Sequence, residues 1–368
     1  MSHPHTDSIS CVAFNTPFIN NDVSGIKQVN LLAVGSYDGS IILYNGDGNN
    51  ENNTNVGQLI HVLEGPSDVE FLTFHPKGGT VLLAGSIADG TIWMYHTPTK
   101  SCLQVFVGHD KGGVTSGAFT PDGKSVVSVG QDGTCRVWAP KKGVCKHVFR
   151  LMDNNIGGNE DGPGAGLTCL AVGGGTDGQL ALCGGEDGNA YVVHISGKML
   201  VATLPHFDDT PVSSNSASNG DEDMEEEGEA RSIEAVGFCS ANIPGTAHWC
   251  ATGGVDGILK IWNMNVATGG SSAQLRQRCV RPDLPDTGGV MAITKLVWHT
   301  SQPLVICSYT DGVICVWDVR VGNLVSSLTG HEDMINDMSV NFVGDNNPVA
   351  VIATGSDDKM VKMFEFHA

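Results

Sequence analysis

Residues 126–138 read VVSVGQDGTCRVW, and this stretch decides the fold. An apolar run ends at Val129 and Gly130, and the pair Asp132-Gly133 follows it. Asp hydrogen-bonds its own backbone in tight turns and Gly adopts a positive φ, so the pair is typical of a turn. Side chains then alternate between polar and apolar through residues 134–138, as in a half-buried strand. The stretch therefore predicts two antiparallel strands joined by a tight turn.

The same pattern occurs seven times along the chain. Each copy has an apolar run, an Asp that is usually followed by Gly, and a further apolar run. The turn aspartates are Asp38, Asp89, Asp132, Asp187, Asp256, Asp311 and Asp358. The residues six positions later are Tyr44, Tyr95, Trp138, Val193, Trp262, Trp317 and Phe364, of which six are aromatic. A unit that recurs at this spacing indicates a repeat architecture.

Two more apolar runs accompany each hairpin. One precedes it, as in VTSGAF at residues 114–119, and one follows it, as in GNLVSSLTGH at residues 322–331. Four short strands in each unit, repeated every 43 to 69 residues, predict an all-β propeller with seven repeats. We expect one domain over residues 1–368, with the longer spacings explained by loop insertions.

The charge of the chain limits its partners. Asp and Glu number 40 against 20 Lys and Arg, which gives a formal net charge of −20. Binding to nucleic acid requires many Lys and Arg to displace phosphate counterions, so we expect no direct nucleic-acid contact. An acidic surface speeds encounter with a basic protein, which is the partner class that the composition favours.

Catalytic and metal-binding motifs are absent from the sequence. The 11 cysteines are scattered without CxxC or Cys/His zinc spacing, and no nucleophile or phosphate-loop motif occurs. We therefore expect no enzyme, no metal and no cofactor. The single cysteines are typical of reduced thiols in a cytoplasmic protein, which is also able to be nuclear. No apolar run near 18 residues occurs, so we expect no insertion into membranes. We also expect a monomer.

An acidic segment interrupts the repeats at residues 207–231, where DEDMEEEGE occupies residues 221–229. The segment has almost no apolar residues and cannot offset the entropy of becoming ordered. We expect a disordered loop between two blades. Direct docking of a basic partner segment is the alternative interpretation.

A candidate binding site follows from the first strand of each unit, because these strands line the central channel of a propeller. The residues near the start of these strands are Ser10, Glu70, Thr115, Thr168, Glu234, Thr294 and Asn336, here called the mouth ring. None of them is basic, and Asp68 and Asp337 lie beside the ring. We expect an anionic mouth without a compensating Lys or Arg, in which Asp68, Glu70, Glu234 and Asp337 contact a basic partner. The alternative is that these acids bind local backbone amides.

The repeats resemble the WD-repeat family. Gly108-His109, Asp132-Gly133 and Val137-Trp138 match its pattern, as do Gly330-His331 and Trp317-Asp318. The resemblance implies a buried hydrogen-bond chain of His, Ser or Thr, Asp and Trp in each complete blade. Its members would be His109, Ser128, Asp132 and Trp138 in the third unit, and His331, Thr354 and Asp358 in the last. The other units lack a histidine in the aligned place, so we expect packing to hold them.

A closer resemblance extends over the chain from His5 onward. LEGPSDVEFLTFHP at 63–76, LLAGSIADGTIWMY at 82–95 and RSIEAVGFCS at 231–240 are similar to the angio-associated migratory cell protein family. Its fungal relative is a dedicated chaperone of one basic large-subunit ribosomal protein, which implies a role in ribosome biogenesis, with Glu70 and Glu234 in client contact.

Other roles stay open beside this one. Animal members of the family are linked to cell migration and angiogenesis, which implies a signalling adaptor as an alternative. A ubiquitin-ligase substrate receptor, a histone-tail reader and a channel-mouth enzyme are further alternatives. Family members also carry a longer N-terminus with one more repeat, so we expect eight blades in a chain that includes it.

Overall fold

The computed structural model describes residues 5–15, 30–46, 57–110, 112–151, 165–174, 177–207, 231–239, 243, 245–264, 273–282, 291–343 and 349–367. These residues form strands and turns, and no helix occurs among them. The strands form seven antiparallel sheets, here called blades 1 to 7 in chain order. The prediction of an all-β propeller with seven repeats is confirmed.

The first four blades have four strands each. Blade 1 contains β1 (Ile9–Phe14), β2 (Leu31–Ser36), β3 (Ser40–Asn45) and β4 (Leu59–Glu64). Blade 2 contains β5 (Phe71–Phe74), β6 (Val81–Gly85), β7 (Thr91–His96) and β8 (Ser101–Val107). Blade 3 contains β9 (Val114–Phe119), β10 (Val126–Gly130), β11 (Thr134–Ala139) and β12 (Val144–Arg150). Blade 4 contains β13 (Leu167–Gly174), β14 (Leu180–Gly185), β15 (Asn189–His194) and β16 (Met199–Pro205).

The remaining three blades include one with three strands. Blade 5 contains β17 (Ile233–Phe238), β18 (Trp249–Gly254), β19 (Leu259–Asn263) and β20 (Gln274–Cys279). Blade 6 contains β21 (Ile293–Trp298), β22 (Leu304–Tyr309), β23 (Ile314–Asp318) and β24 (Asn323–Leu328). Blade 7 contains β25 (Ile335–Val343), β26 (Val349–Ser356) and β27 (Val361–His367).

The predicted turn aspartates share one local geometry. In every blade the Asp carboxylate accepts a hydrogen bond from the backbone N–H two residues later, at distances of 2.9 to 3.3 Å. The residue after the Asp has a positive φ in each of these turns, for example 68° at Gly133. Lys359 takes this place in blade 7 with a φ of 62°. These turns connect the second and third strands of each blade.

The first strands of the blades form the inner ring of the molecule. Each inner strand contacts the inner strand of the next blade, and β25 contacts β1, so the ring closes after seven blades. At this closure Val12 N–H donates to Asp337 Oδ2 at 3.0 Å, and Phe14 N–H donates to Ser339 Oγ at 3.0 Å. The expectation of eight blades concerns a longer chain and stays a prediction.

The hydrophobic core lies between neighbouring blades. Each cluster of buried side chains joins two adjacent sheets, as where Phe106 of blade 2 packs against Trp138 of blade 3 with ring centroids 5.7 Å apart. Burial of such large apolar side chains is the main favourable contribution to folding. The packed blades hold the inner strands, and therefore the channel mouth, in fixed positions.

Candidate functional site: the channel mouth

The mouth ring surrounds one cavity at the end of the channel nearest the aspartate turns. All seven of its members line this cavity, whose volume is about 500 Å³. Glu70 belongs to blade 2 and Glu234 to blade 5, so the two carboxylates enter the channel from opposite sides. Asp337 lines the same cavity, whereas Asp68 is not among its lining residues.

Four members of the mouth ring tie one blade to the next. Ser10 Oγ donates to the carbonyl of Val69, and Thr168 Oγ1 donates to that of Ile233. Thr115 Oγ1 donates to the Leu167 carbonyl at 2.6 Å, and Asn336 Nδ2 donates to the Ile9 carbonyl at 3.0 Å. Each acceptor is the residue before the next ring position, so these side chains are structural links between blades.

The two glutamates differ from these neighbours at equivalent positions. An ionised carboxylate cannot donate a hydrogen bond, so it cannot make the same link. Within the described part of the chain neither the Glu70 nor the Glu234 carboxylate has a hydrogen bond or ion pair, and both side chains are half-buried. They are the members of the ring most available to a cationic ligand.

The environment of Glu70 is unfavourable to a negative charge. Burial, followed by the nearby charges of Asp68 and Asp337, raises the pKa of Glu70 to about 7, although Lys295 acts in the opposite direction. A buried carboxyl among other acids titrates near neutral pH for these reasons. An added cation would relieve this repulsion.

Asp68 and Asp337 are committed to contacts within the chain. Asp68 Oδ1 accepts hydrogen bonds from Ser86 Oγ and from the Ala88 N–H, the latter at 3.2 Å. Asp337 is 7% exposed, and its two oxygens bind Val12 N–H and the Lys295 Nζ, the latter at 2.9 Å. Both acids therefore bind backbone amides of the chain, which is the alternative that the sequence left open for them.

The expectation of a mouth without a basic residue was wrong, because Lys295 lines the cavity. A β-bulge between Ile293 and Lys295 interrupts the alternation of β21, and equivalent bulges occur in β1, β9, β13, β17 and β25. A bulge adds one residue to a strand and turns consecutive side chains toward the same side. Strict alternation from Thr294 would have directed Lys295 away from the channel.

Blade 3 contains the hydrogen-bond chain that the WD-repeat resemblance implies. Trp138 Nε1 donates to Ser128 Oγ at 2.8 Å, Ser128 lies 2.8 Å from His109 Nε2, and His109 Nδ1 lies 2.9 Å from Asp132 Oδ1. Burial alone would raise the pKa of Asp132, but His109 and Thr134 lower it to about 2. In blade 7, His331 bridges Thr354 and Asp358 with two contacts of 2.7 Å.

Sequence reasoning missed a second complete chain, in blade 5. His206 Nδ1 lies 2.7 Å from Thr252 Oγ1, Trp262 Nε1 donates to the same oxygen at 2.9 Å, and His206 Nε2 lies 3.2 Å from Asp256. His5 likewise lies 2.6 Å from Ser40 Oγ in blade 1. The statement that the other units lack a histidine was therefore wrong. His206 follows β16 directly, and counting from that strand would have found it.

Blade 6 replaces the histidine with a different pair. Arg281 Nη1 donates to Asp311 Oδ2 at 2.8 Å and lies over the ring of Tyr309, 4.8 Å from its centroid. Tyr309 is two residues before the turn aspartate, where blade 3 has Gly130. A Cβ on Gly130 would lie 2.8 Å from His109 Nδ1, so a small residue there leaves space for the histidine.

Residues 208–230 of the acidic segment lie outside the described residues. The interpretations of the segment as a disordered loop or as a docking site both stay predictions. Among the residues that are described, no cluster of three or more metal-binding side chains occurs, and no helix could span a membrane.

Comparison with known proteins agrees with the blade geometry. The model of the WD domain, G-beta repeat family matches residues 57–96, 100–139, 284–318 and 322–365. The human and dog proteins named angio-associated migratory cell protein are each 30% identical to the chain over 361 residues, which is 98% of this chain and 68% of each relative. The chain belongs to the angio-associated migratory cell protein family.

A fungal protein is similar as well. An uncharacterised WD repeat-containing protein of Schizosaccharomyces pombe is 28% identical over 270 residues, or 73% of this chain and 55% of that protein. WD-repeat propellers are scaffolds for protein interaction, and this member of the angio-associated migratory cell protein family is a scaffold of that kind.

Proposed function

We propose that this propeller binds a Lys- or Arg-rich segment of a partner protein at its channel mouth. Glu70 and Glu234 would each accept charge-assisted hydrogen bonds from a cationic side chain entering between them. The observation that carries the proposal is their position: they replace linking hydroxyls of the mouth ring and have no partner within the described residues. Lys295 offsets one of the three carboxylates that line the cavity, so the mouth keeps a net negative charge when all are ionised.

The partner that we favour is a basic large-subunit ribosomal protein, held until it joins the ribosome. The formal charge of −20 supports a cationic client, since a long-range field of opposite sign raises encounter rates. The role would be that of a dedicated chaperone, which shields the positive segment of its client from RNA. We propose that it acts in the cytoplasm and in the nucleus.

This function can be tested with a mixture of purified large-subunit ribosomal proteins passed over the immobilised chain. Mass spectrometry of the retained fraction should find a basic protein that elutes as the salt concentration rises. Reversal of charge at the mouth, in Glu70→Lys with Glu234→Lys, should abolish its retention.

A charge-matched control is available on the outer strands. Glu64 and Glu365 are exposed, and Glu64→Lys with Glu365→Lys changes the net charge by the same amount away from the mouth. This control should retain the client. Equal loss in both double variants would assign binding to the overall charge, and no enrichment of any ribosomal protein would overturn the chaperone function.

A further inference from the structure

The channel mouth already holds one ammonium group that belongs to the chain itself. Lys295 Nζ lies 2.9 Å from Asp337 Oδ1, and 44% of the Lys295 side chain is exposed. The charge of Asp337 raises the pKa of Lys295 against the opposing influence of burial, so the amine stays protonated. The same cavity is lined by Glu70 and Glu234.

We propose that Lys295 is an internal counter-ion that sets the affinity of the mouth for a cationic partner. This inference rests on the function proposed above and adds the residue that tunes it. The incoming ammonium or guanidinium group competes with Lys295 for the carboxylates of the cavity. Binding is therefore weaker, and more readily reversed, than three unopposed carboxylates would make it.

Asp337 and Lys295 differ in conformational freedom. Asp337 is fixed, because its second oxygen accepts the Val12 N–H across the closure between blades 7 and 1. Lys295 carries its charge on a flexible four-carbon stem and is half exposed to the cavity. When a partner cation enters, Lys295 moves aside while Asp337 stays in place.

The first test compares Lys295→Met with the wild-type chain. Met keeps an unbranched stem and removes the charge. A fluorescein-labelled decapeptide of alternating lysine and glycine is the probe, titrated by fluorescence anisotropy at low salt. We expect the dissociation constant to fall about tenfold, because the like-charge repulsion is gone.

Lys124→Met is the matched control. Lys124 forms an exposed pair with Asp122 at 3.6 Å, with 82% of its side chain exposed. Its loss should leave the dissociation constant unchanged. Unchanged or weaker binding by Lys295→Met, while the wild type binds the peptide, overturns the role of Lys295 alone. Absence of peptide binding in both the wild type and Lys295→Met overturns the proposed function as well as the role of Lys295.

A second measurement does not depend on the stability of the Met variant. The chain labelled with ¹³C at lysine Cε gives one resonance for each lysine, and Lys295→Arg identifies that of Lys295 while keeping the charge. Saturating peptide should shift the Lys295 resonance toward that of an exposed lysine. A resonance that does not move when the peptide binds would show that Lys295 keeps its pairing and would overturn the displacement.

Discussion

His206 Nε2 and Asp256 Oδ1 lie 3.2 Å apart although 50 residues separate them in the sequence. His206 directly follows the outer strand of blade 4, and Asp256 forms the turn of blade 5. The contact therefore holds the two blades together across the acidic segment that connects them. His206 is fully buried at this place, so its contact with Asp256 is shielded from water.

Replacing His206 should destabilise the propeller. His206→Ala leaves Asp256 without its imidazole partner and creates a cavity, so we expect a loss of about 2–3 kcal/mol in the free energy of unfolding. His194→Ala is the control, because the His194–Asp177 pair at 3.2 Å is exposed and such pairs contribute about 0–1 kcal/mol. Urea denaturation measures both, and equal losses would contradict a structural role for the blade 5 chain.

The closure of the ring depends on Asp337. Asp337→Ala removes the acceptor of the Val12 N–H and leaves Lys295 unpaired, so we expect a loss of about 2–4 kcal/mol. Asp337→Asn keeps an acceptor oxygen and should lose less. Hydrogen exchange at the Val12 amide reports the closure directly: it should be faster in the Ala variant than in the Asn variant. The same exchange rate in both would show that the carboxylate does not hold this joint.

Glu70 should make stability depend on pH. Its pKa is raised to about 7 in the folded chain from an ordinary value near 4.5, so the folded state binds the proton more tightly than the unfolded state. The stabilising contribution is complete below pH 4.5 and is lost as the pH rises through 7. It amounts to at most about 3–4 kcal/mol, since one pKa unit corresponds to about 1.4 kcal/mol.

Comparison of Glu70→Gln with the wild type isolates this contribution. The free energy of unfolding of the Gln variant, measured between pH 5 and 8, should fall less with rising pH than that of the wild type. Glu365→Gln, which removes an exposed carboxylate, should keep the wild-type dependence. Parallel curves for the wild type and Glu70→Gln would contradict the buried, acid-rich environment of Glu70.

The fold was predictable because one spacing recurs. The turn Asp and the large residue six positions later fix a hairpin in every unit, and the inner strand of each unit could be aligned from its apolar run. This alignment also identified the mouth ring, all of which lines the cavity. The sequence pattern was sufficient to predict a position wherever equivalent residues of the seven blades occupy equivalent places.

The remainder of the site depends on departures from regular geometry. Lys295 faces the cavity because of a β-bulge that recurs near the start of β1, β9, β13, β17, β21 and β25, and strict alternation from Thr294 does not include such a bulge. His206 is separated by the acidic segment from the strand it supports, so it does not align with His109. Arg281 and Tyr309 together occupy the place that a histidine has in other blades, so two packed side chains stand where one is expected.

We expect the channel mouth, rather than the overall acidity, to capture the cationic segment. The most direct measurement is the salt dependence of binding of the lysine–glycine decapeptide to the wild type and to Glu70→Gln with Glu234→Gln. We predict that wild-type affinity falls about tenfold between 50 and 200 mM salt, since exposed ion pairs are screened. We also predict that the double variant binds weakly at both concentrations. Equal affinity and equal salt dependence in the two proteins would contradict the account.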